Sequence, residues 1–302
     1  MSAKELTFDY AQLPNGIRLH YAARGAPDPR KRPLVLMLHG FPEYWGAWRD
    51  VLPLLDDSVY AVAPDLRGFN LSSKPAEVTA YKAREILNDI VQLITVLGYG
   101  DAVVVAHDWG GGVAWNLAAQ RPDLVQRLII LNSPHPIRFA YALARDPAQQ
   151  AASSYINWLR KEGSEEPLEH DGFARLIEFF TLMRRDDAPW FDDERADQYR
   201  TVWSRGLTGG INYHRASPLY PPTSSDAGAQ RLKLDPADFT VNVPTLVMWG
   251  LADTSLLPTL LEGLDVVVPG VTIERIERAT HWLAHEEPQR VAARIHSFGL
   301  GQ

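Results

Sequence analysis

An apolar run, Val103-Val104-Val105-Ala106, ends at His107-Asp108-Trp109-Gly110-Gly111-Gly112, where a helical pattern takes over. Asp108 thus sits where a strand turns sharply into a helix, between small residues in the frame Ala106-x-Asp108-x-Gly110. Such a frame suits a nucleophile elbow, because a side chain on a strained strand-to-helix turn leaves no room for large neighbours. A serine there performs acyl transfer. A carboxylate can instead attack an sp³ carbon and form an alkyl ester, which points to opening an epoxide or displacing a halide. The other reading is structural: aspartate is a good N-cap, and Asp108 could simply cap the helix that begins near Gly110.

Chemistry at Asp108 needs partners, and in open parallel sheets ligands bind beyond the carboxyl ends of the strands. Short runs rich in β-branched residues predict strands at 6–10, 17–23, 34–38, 59–63, 102–106, 128–131, 245–249 and 271–276. Helical periodicity at 83–97 and 111–119 alternates with them. The pattern predicts an α/β fold: a mostly parallel eight-stranded sheet with helices on both faces. Polar segments then follow four strands: His39-Gly40-Phe41-Pro42-Glu43, Asp108, Trp249-Gly250-Leu251-Ala252-Asp253 and Thr280-His281-Trp282. From 134 to 239 the alternation stops, and helical patterns at 151–160, 173–183 and 193–203 predict an inserted helical cap over the active site. The core is then 1–133 with 240–302, and Pro221-Pro222-Thr223-Ser224-Ser225-Asp226 is the most loop-like part of the cap.

The 302 residues are 46% hydrophobic and 22% charged, as expected of a globular domain with a sizeable core. A net charge of -7 argues against nucleic acid or an anionic membrane as partner, and Arg30-Lys31-Arg32 is short enough to be solvated loop. With no cysteine there are no disulfides, thiol nucleophiles or thiolate metal sites. Residues 1–5 have no apolar stretch for a signal peptide and no later run spans a membrane, so a cytoplasmic enzyme is expected. His281 and His285 are four apart, a metal-ligand spacing without a third ligand nearby. The triple glycine 110–112 lacks the lysine of a phosphate loop. Neither a metal nor a cofactor is expected.

The segments His39 to Glu43, Asp65-Leu66-Arg67-Gly68-Phe69, His107 to Gly111 and Leu131-Asn132-Ser133-Pro134-His135-Pro136 resemble motifs of the α/β-hydrolase superfamily, in its epoxide hydrolase and haloalkane dehalogenase branch. The likeness runs from Phe8 to Phe298 and is weak in the cap, where substrate is chosen. It implies an α/β-hydrolase fold with the triad order nucleophile, acid, histidine. Asp108 would displace the leaving group, and His281, held by Asp253, would deprotonate the water that attacks the ester. The backbone N–H groups of Phe41 and Trp109 would form the oxyanion hole, contributing about 3 to 4 kcal/mol. Otherwise Asp253 is a helix or turn cap and His281 a surface loop residue.

The leaving group decides what the cap must supply. An epoxide expels a basic alkoxide that needs a donor, commonly two cap tyrosines in the epoxide hydrolases, whereas a halide needs only N–H dipoles. Tyr155-Ile156-Asn157-Trp158-Leu159 puts Trp158 where the first tyrosine is usual, and Ile211-Asn212-Tyr213-His214-Arg215-Ala216 puts His214 where the second is usual. A register shift of one would give Tyr213 that place. For epoxides, His214 supplies a proton with Tyr213 or Tyr155 behind it; for halides, Trp109 and Trp158 form a donor pair, with core packing as the alternative for each. The cap aromatics Tyr155, Trp158, Phe179, Phe180, Trp190 and Trp203 either line an apolar cavity or pack the cap together.

Many haloalkane dehalogenases carry asparagine at the place of Phe41, so Phe41 resembles the epoxide hydrolase side. Haloacetate dehalogenases clamp their substrate carboxylate with arginines just after the nucleophile. Here Trp109 and Gly112 or Val113 stand there, and Asn132 takes the place where that group carries its acid. The residues point to a hydrolase that converts a small or medium apolar epoxide to a diol through an ester on Asp108. Haloalkane or haloacetate dehalogenation is the alternative, and non-catalytic ligand binding under the cap a third. The partners are a small apolar electrophile and water, with a homodimer left open.

Overall fold

The eight expected strands form and pair: β1 (Thr7–Gln12), β2 (Arg18–Arg24), β3 (Leu34–Leu38), β4 (Tyr60–Pro64), β5 (Ala102–His107), β6 (Val125–Leu131), β7 (Thr245–Gly250) and β8 (Thr272–Ile276). They lie in one sheet in the order β1-β2-β4-β3-β5-β6-β7-β8, parallel from β4 to β8, with β2 antiparallel to both its neighbours. The computed structural model describes residues 6–183, 185, 187 and 190–301. Residues 1–5, where no leader is expected, lie outside them.

Alternate residues along each central strand feed two different cores, as a period of two requires. Leu36, Leu38, Val104, Ala106, Ile130 and Val247 face one side, where they meet Ile86, Ile90 and Leu93 of α1 (Ala83–Val96) and Val113, Trp115 and Leu117 of α2 (Asp108–Gln120). Val35, Met37, Val103, Val105, Ile129 and Met248 face the other, packing against Trp48, Val51, Val291 and Ile295. Burial of such a side chain contributes about 1.5 to 3 kcal/mol. Both faces are therefore covered, which is why the central strands are continuously apolar.

Between β6 and β7 come α3 (Pro136–Arg145), α4 (Pro147–Ala152), α5 (Ser154–Leu159), α6 (Glu165–Leu182), α7 (Asp193–Trp203) and α8 (Thr208–Ala216); α9 (Leu283–Glu286) and α10 (Pro288–Arg294) follow β8. The expected helix over 151–160 is two short helices broken at Ser153, and α6 kinks at His170 to Phe173, where Asp171-Gly172 adopt left-handed backbone. The helices α3 and α8 were not foreseen. The segment 221–226 has no regular structure, as its composition predicts. Among the described residues no helix is long and apolar enough to cross a membrane.

The chain reverses its order of strand addition between β3 and β5, since β4 joins one side of β3 and β5 the other. That switch point opens a crevice at the carboxyl ends of the two strands. Beside it, Arg67 is braced by Asp89 of α1, through bonds of 2.7 Å from Nε and 2.5 Å from Nη2, and its carbonyl accepts the Tyr213 hydroxyl at 2.9 Å. Burial raises the Asp89 pKa despite the guanidinium beside it. Asp89→Ala should leave Arg67 buried without its counter-charge and cost about 3–5 kcal/mol in urea denaturation, whereas Asp89→Asn, which keeps acceptors and shape, should cost less.

Candidate active site

Asp108 is the first residue of α2 and has φ +49, in the left-handed region. A non-glycine residue there costs about 1–3 kcal/mol unless its surroundings impose the conformation. The crowding is explicit. A Cβ on Gly40 would stand 2.1 Å from Asp108 Oδ1, one on Gly110 2.4 Å from the Leu38 carbonyl oxygen, and one on Gly111 2.3 Å from Ser133 Cβ. Glycine at 110 and 111 lets α2 press against the ends of β3 and β6. The N-cap position belongs to His107, and the Asp108 carboxylate caps nothing: its Oδ1 accepts the Phe41 N–H at 2.8 Å. Residues Leu38 and Ala106 are paired across β3 and β5, so Phe41 and Asp108 emerge side by side. The Ser133 hydroxyl donates to the Asp108 carbonyl at 2.6 Å.

His281 and Asp253 arrive from the ends of β8 and β7. His281 Nδ1 lies 2.8 Å from Asp253 Oδ2, and its Nε2 lies 3.9 Å from Asp108 Oδ2. Asp253 Oδ1 accepts the Ser255 and Leu256 N–H groups, both at 2.9 Å, and Oδ2 also accepts Asn132 Nδ2 at 2.9 Å. Burial works against the Asp253 charge, but His281 and these donors hold its pKa below the usual value. Burial likewise works against a His281 cation. The Asp253 charge and hydrogen bond, with Asp108 behind them, overcome it and raise the imidazole pKa to about 9.

A second buried chain of charges backs this arrangement. His107 Nε2 donates to the His281 carbonyl at 2.8 Å, and its Nδ1 is 3.4 Å from Glu43 Oε2. Glu43 Oε1 is 2.7 Å from both His285 Nε2 and the Tyr199 hydroxyl. Asp50, beyond His285, takes Arg195 in a two-pronged pair at 2.7 and 2.8 Å. Burial opposes the Glu43 charge, but His285 and His107 keep the carboxyl well below the usual range. The spacing of His281 and His285 thus serves two carboxylates, Asp253 and Glu43. Glu43 and Asn132 were not assigned these contacts from sequence. The legible signal was a charged residue in an otherwise apolar motif and an amide at a strand end.

A cavity of about 240 Å³ opens over Asp108, walled by Trp109, Val113, Phe139, Ile156, Leu219 and Leu256 among others. Of the six aromatics expected in the cap, Tyr155 lines it. Phe180, Trp190 and Trp203 instead pack with Tyr199 and Trp282. Trp158 also lies off the cavity wall, under the Arg175 guanidinium. Tyr213 reaches the wall, but its hydroxyl is spent on Arg67. His214 Nε2 accepts the Trp109 indole N–H at 3.2 Å, and burial, then Arg160, lowers its pKa to about 3. A neutral imidazole already accepting a bond is a poor proton source. The Tyr155 hydroxyl has no hydrogen-bond partner among the described residues, and burial, then the charges of Asp108 and Asp253, raises its pKa. Of the two expected backbone donors to the Asp108 carboxylate, Phe41 is the one engaged among the described residues.

Fold and site together define a hydrolase with a carboxylate at its elbow. The family model for the alpha/beta hydrolase fold matches residues 33–288. Among curated relatives, the AB hydrolase superfamily protein YfhM of Bacillus subtilis is 34% identical over 278 residues, covering 91% of each chain. Epoxide hydrolase 1 of Caenorhabditis elegans is 34% identical over 291 residues, 93% of this chain and 68% of the relative. The crystal structure of Bacillus megaterium epoxide hydrolase in complex with an inhibitor superposes with a TM-score of 0.87 at 31% identity, covering 97% of this chain and all of the other. The chain therefore belongs to the α/β-hydrolase family, among the epoxide hydrolases. Gly110→Ala should drive a methyl group into backbone that cannot yield and lower stability by about 1–3 kcal/mol. Gly112→Ala, with open space at its Cβ, should be neutral or stabilising in the same thermal or urea unfolding series.

Proposed function

We propose that the protein hydrolyses a small to medium apolar epoxide to a diol, with residues 134–239 as a cap on a core of 1–133 and 240–302. The observation that carries this is Asp108 Oδ2 facing His281 Nε2 at 3.9 Å, under a cavity whose uncommitted tyrosine hydroxyl is that of Tyr155. In the first step Asp108 Oδ2 attacks an epoxide carbon, the carbon–oxygen bond breaks, and Tyr155 gives its proton to the leaving oxygen. The raised Tyr155 pKa keeps that proton in place until the alkoxide develops. In the second step His281 takes a proton from water, and hydroxide adds to the ester carbonyl. The oxyanion grows on Oδ1, where the Phe41 N–H already sits and where the Trp109 N–H is the second candidate donor. Collapse of that adduct frees the diol oxygen, which takes the proton from His281, and the proton left on the Asp108 carboxyl goes to the Tyr155 phenolate, so both groups return to their starting states.

The charge arrangement supports this order of events. With Asp108 ionised, His281 holds a proton up to about pH 9. Esterification removes the Asp108 charge, so the imidazole loses one of the influences that raise its pKa and becomes available as a base. Halide release fits less well. The Trp109 indole N–H is taken by His214, and Trp158 is off the cavity wall, so neither indole donor expected for a halide is free there.

Four measurements test the reading. Asp108→Ala should abolish diol formation, and His281→Gln should accumulate an ester on Asp108 visible by mass spectrometry; absence of any adduct in the latter would leave a ligand-binding role instead. Tyr155→Phe should slow ester formation by about 10²–10⁴-fold, the range for loss of a general acid, in rapid-quench assays with a small terminal epoxide. Ester hydrolysis in the native protein should rise with pH and level off at a pKa below that of His281 in the free protein. An inflection at or above that value, or a rate that falls with pH, rejects His281 as the base.

A further inference from the structure

Residues 277–282 connect β8 to α9 without regular structure, yet this loop must aim His281 across the cavity. Two of its points are fastened from outside. The Ala279 carbonyl accepts the Ala252 N–H at 3.0 Å, and the His281 carbonyl accepts His107 Nε2 at 2.8 Å. Between them, Thr280 is gripped by Glu286 from α9: its N–H donates to Oε2 at 2.7 Å and its hydroxyl to Oε1 at 2.8 Å. The same hydroxyl accepts the Trp282 N–H at 3.3 Å, so the residues on both sides of His281 are tied to one carboxylate. Glu286 and Thr280 are 8% and 6% exposed. A buried carboxylate is tolerated when donors satisfy it. Its donors here are the loop itself and the Arg185 N–H at 3.3 Å.

Resting on the two-step reading above, we propose that Glu286 is a positioning residue: its clamp on Thr280 orients His281 for hydrolysis of the Asp108 ester and is not needed to form that ester. The groups that act in ester formation, Asp108, Phe41 and Tyr155, share no hydrogen bond with Glu286 among the described residues. A general base aimed wrongly by a fraction of an ångström loses rate while the nucleophile keeps its own. Glu286 is therefore a control point for one half-reaction.

The test uses the full chain in single-turnover quench experiments with a small terminal aryl epoxide, following the ester on Asp108 by mass spectrometry and normalising to the amplitude of ester formed. That amplitude counts working sites, so misfolded protein does not enter. Glu286→Ala should form ester at the native rate and hydrolyse it about tenfold to a hundredfold more slowly, the scale of a misplaced reactive group. Thr280→Val, which removes the hydroxyl half of the clamp, should fall between, and Glu286→Gln, which can still accept the Thr280 N–H, should restore hydrolysis. Unchanged ester lifetime in Glu286→Ala, equal slowing of both steps, or Glu286→Gln as slow as alanine would each overturn the proposal. If native protein and His281→Gln form no ester at all, the two-step reading itself fails, an outcome distinct from an ester whose lifetime ignores Glu286.

Discussion

The structure depends on a close approach: helix α2 begins against the ends of β3 and β6 with no side chain between. Gly110 lies under the Leu38 carbonyl and Gly111 against Ser133, so the first turn of α2 has one place to sit. That place forces Asp108 into left-handed backbone and projects its carboxylate past Gly40 to the Phe41 N–H. The strain at Asp108 is supported by packing on two neighbouring strands, and geometry at the reacting atom is inherited from it.

Around that carboxylate the protein has had to bury several charges, and each is compensated locally. Asp253 is satisfied by an imidazole, two backbone N–H groups and an amide; Glu43 by two imidazoles and a phenol; Glu286 by Thr280 and the backbone of Arg185. Buried ions without such partners would be strongly destabilising. Here the compensation has a second result. The carboxylates are spaced around one loop, so His281 is held through its ring by Asp253, through its carbonyl by His107, and through its preceding residue by Glu286.

Much of this was legible in the residues. Strands announce themselves by β-branched runs buried on both faces, and polar residues after those runs converge because parallel strands share a direction. Asp108, His281 and Asp253 come together for that reason. The helices were harder. The helix α8 contains two glycines and little helix propensity, and it forms where Gly209 and Gly210 let it lie against Gly68 and the Phe69 and Phe41 rings. Tertiary contact made that helix. The exchange of Trp158 for Tyr155 at the cavity has a similar origin: a motif likeness placed Trp158, but within α5 it is Tyr155 that lines the cavity while Trp158 lies under the Arg175 guanidinium of α6. The role of His214 depends on a contact 105 positions away in the chain, with Trp109, that no local pattern encodes.

The bond between Trp109 and His214 leaves the cavity lopsided. Tyr81 and Tyr213 direct their hydroxyls into backbone carbonyls, and the indole of Trp109 is satisfied within the protein, so the Tyr155 wall holds the remaining phenol. On the proposed mechanism, an oxirane points its oxygen toward that wall while offering a carbon to Asp108. Mirror-image molecules meeting both demands of that mechanism would place their substituents in different directions, against different lining residues of the chamber.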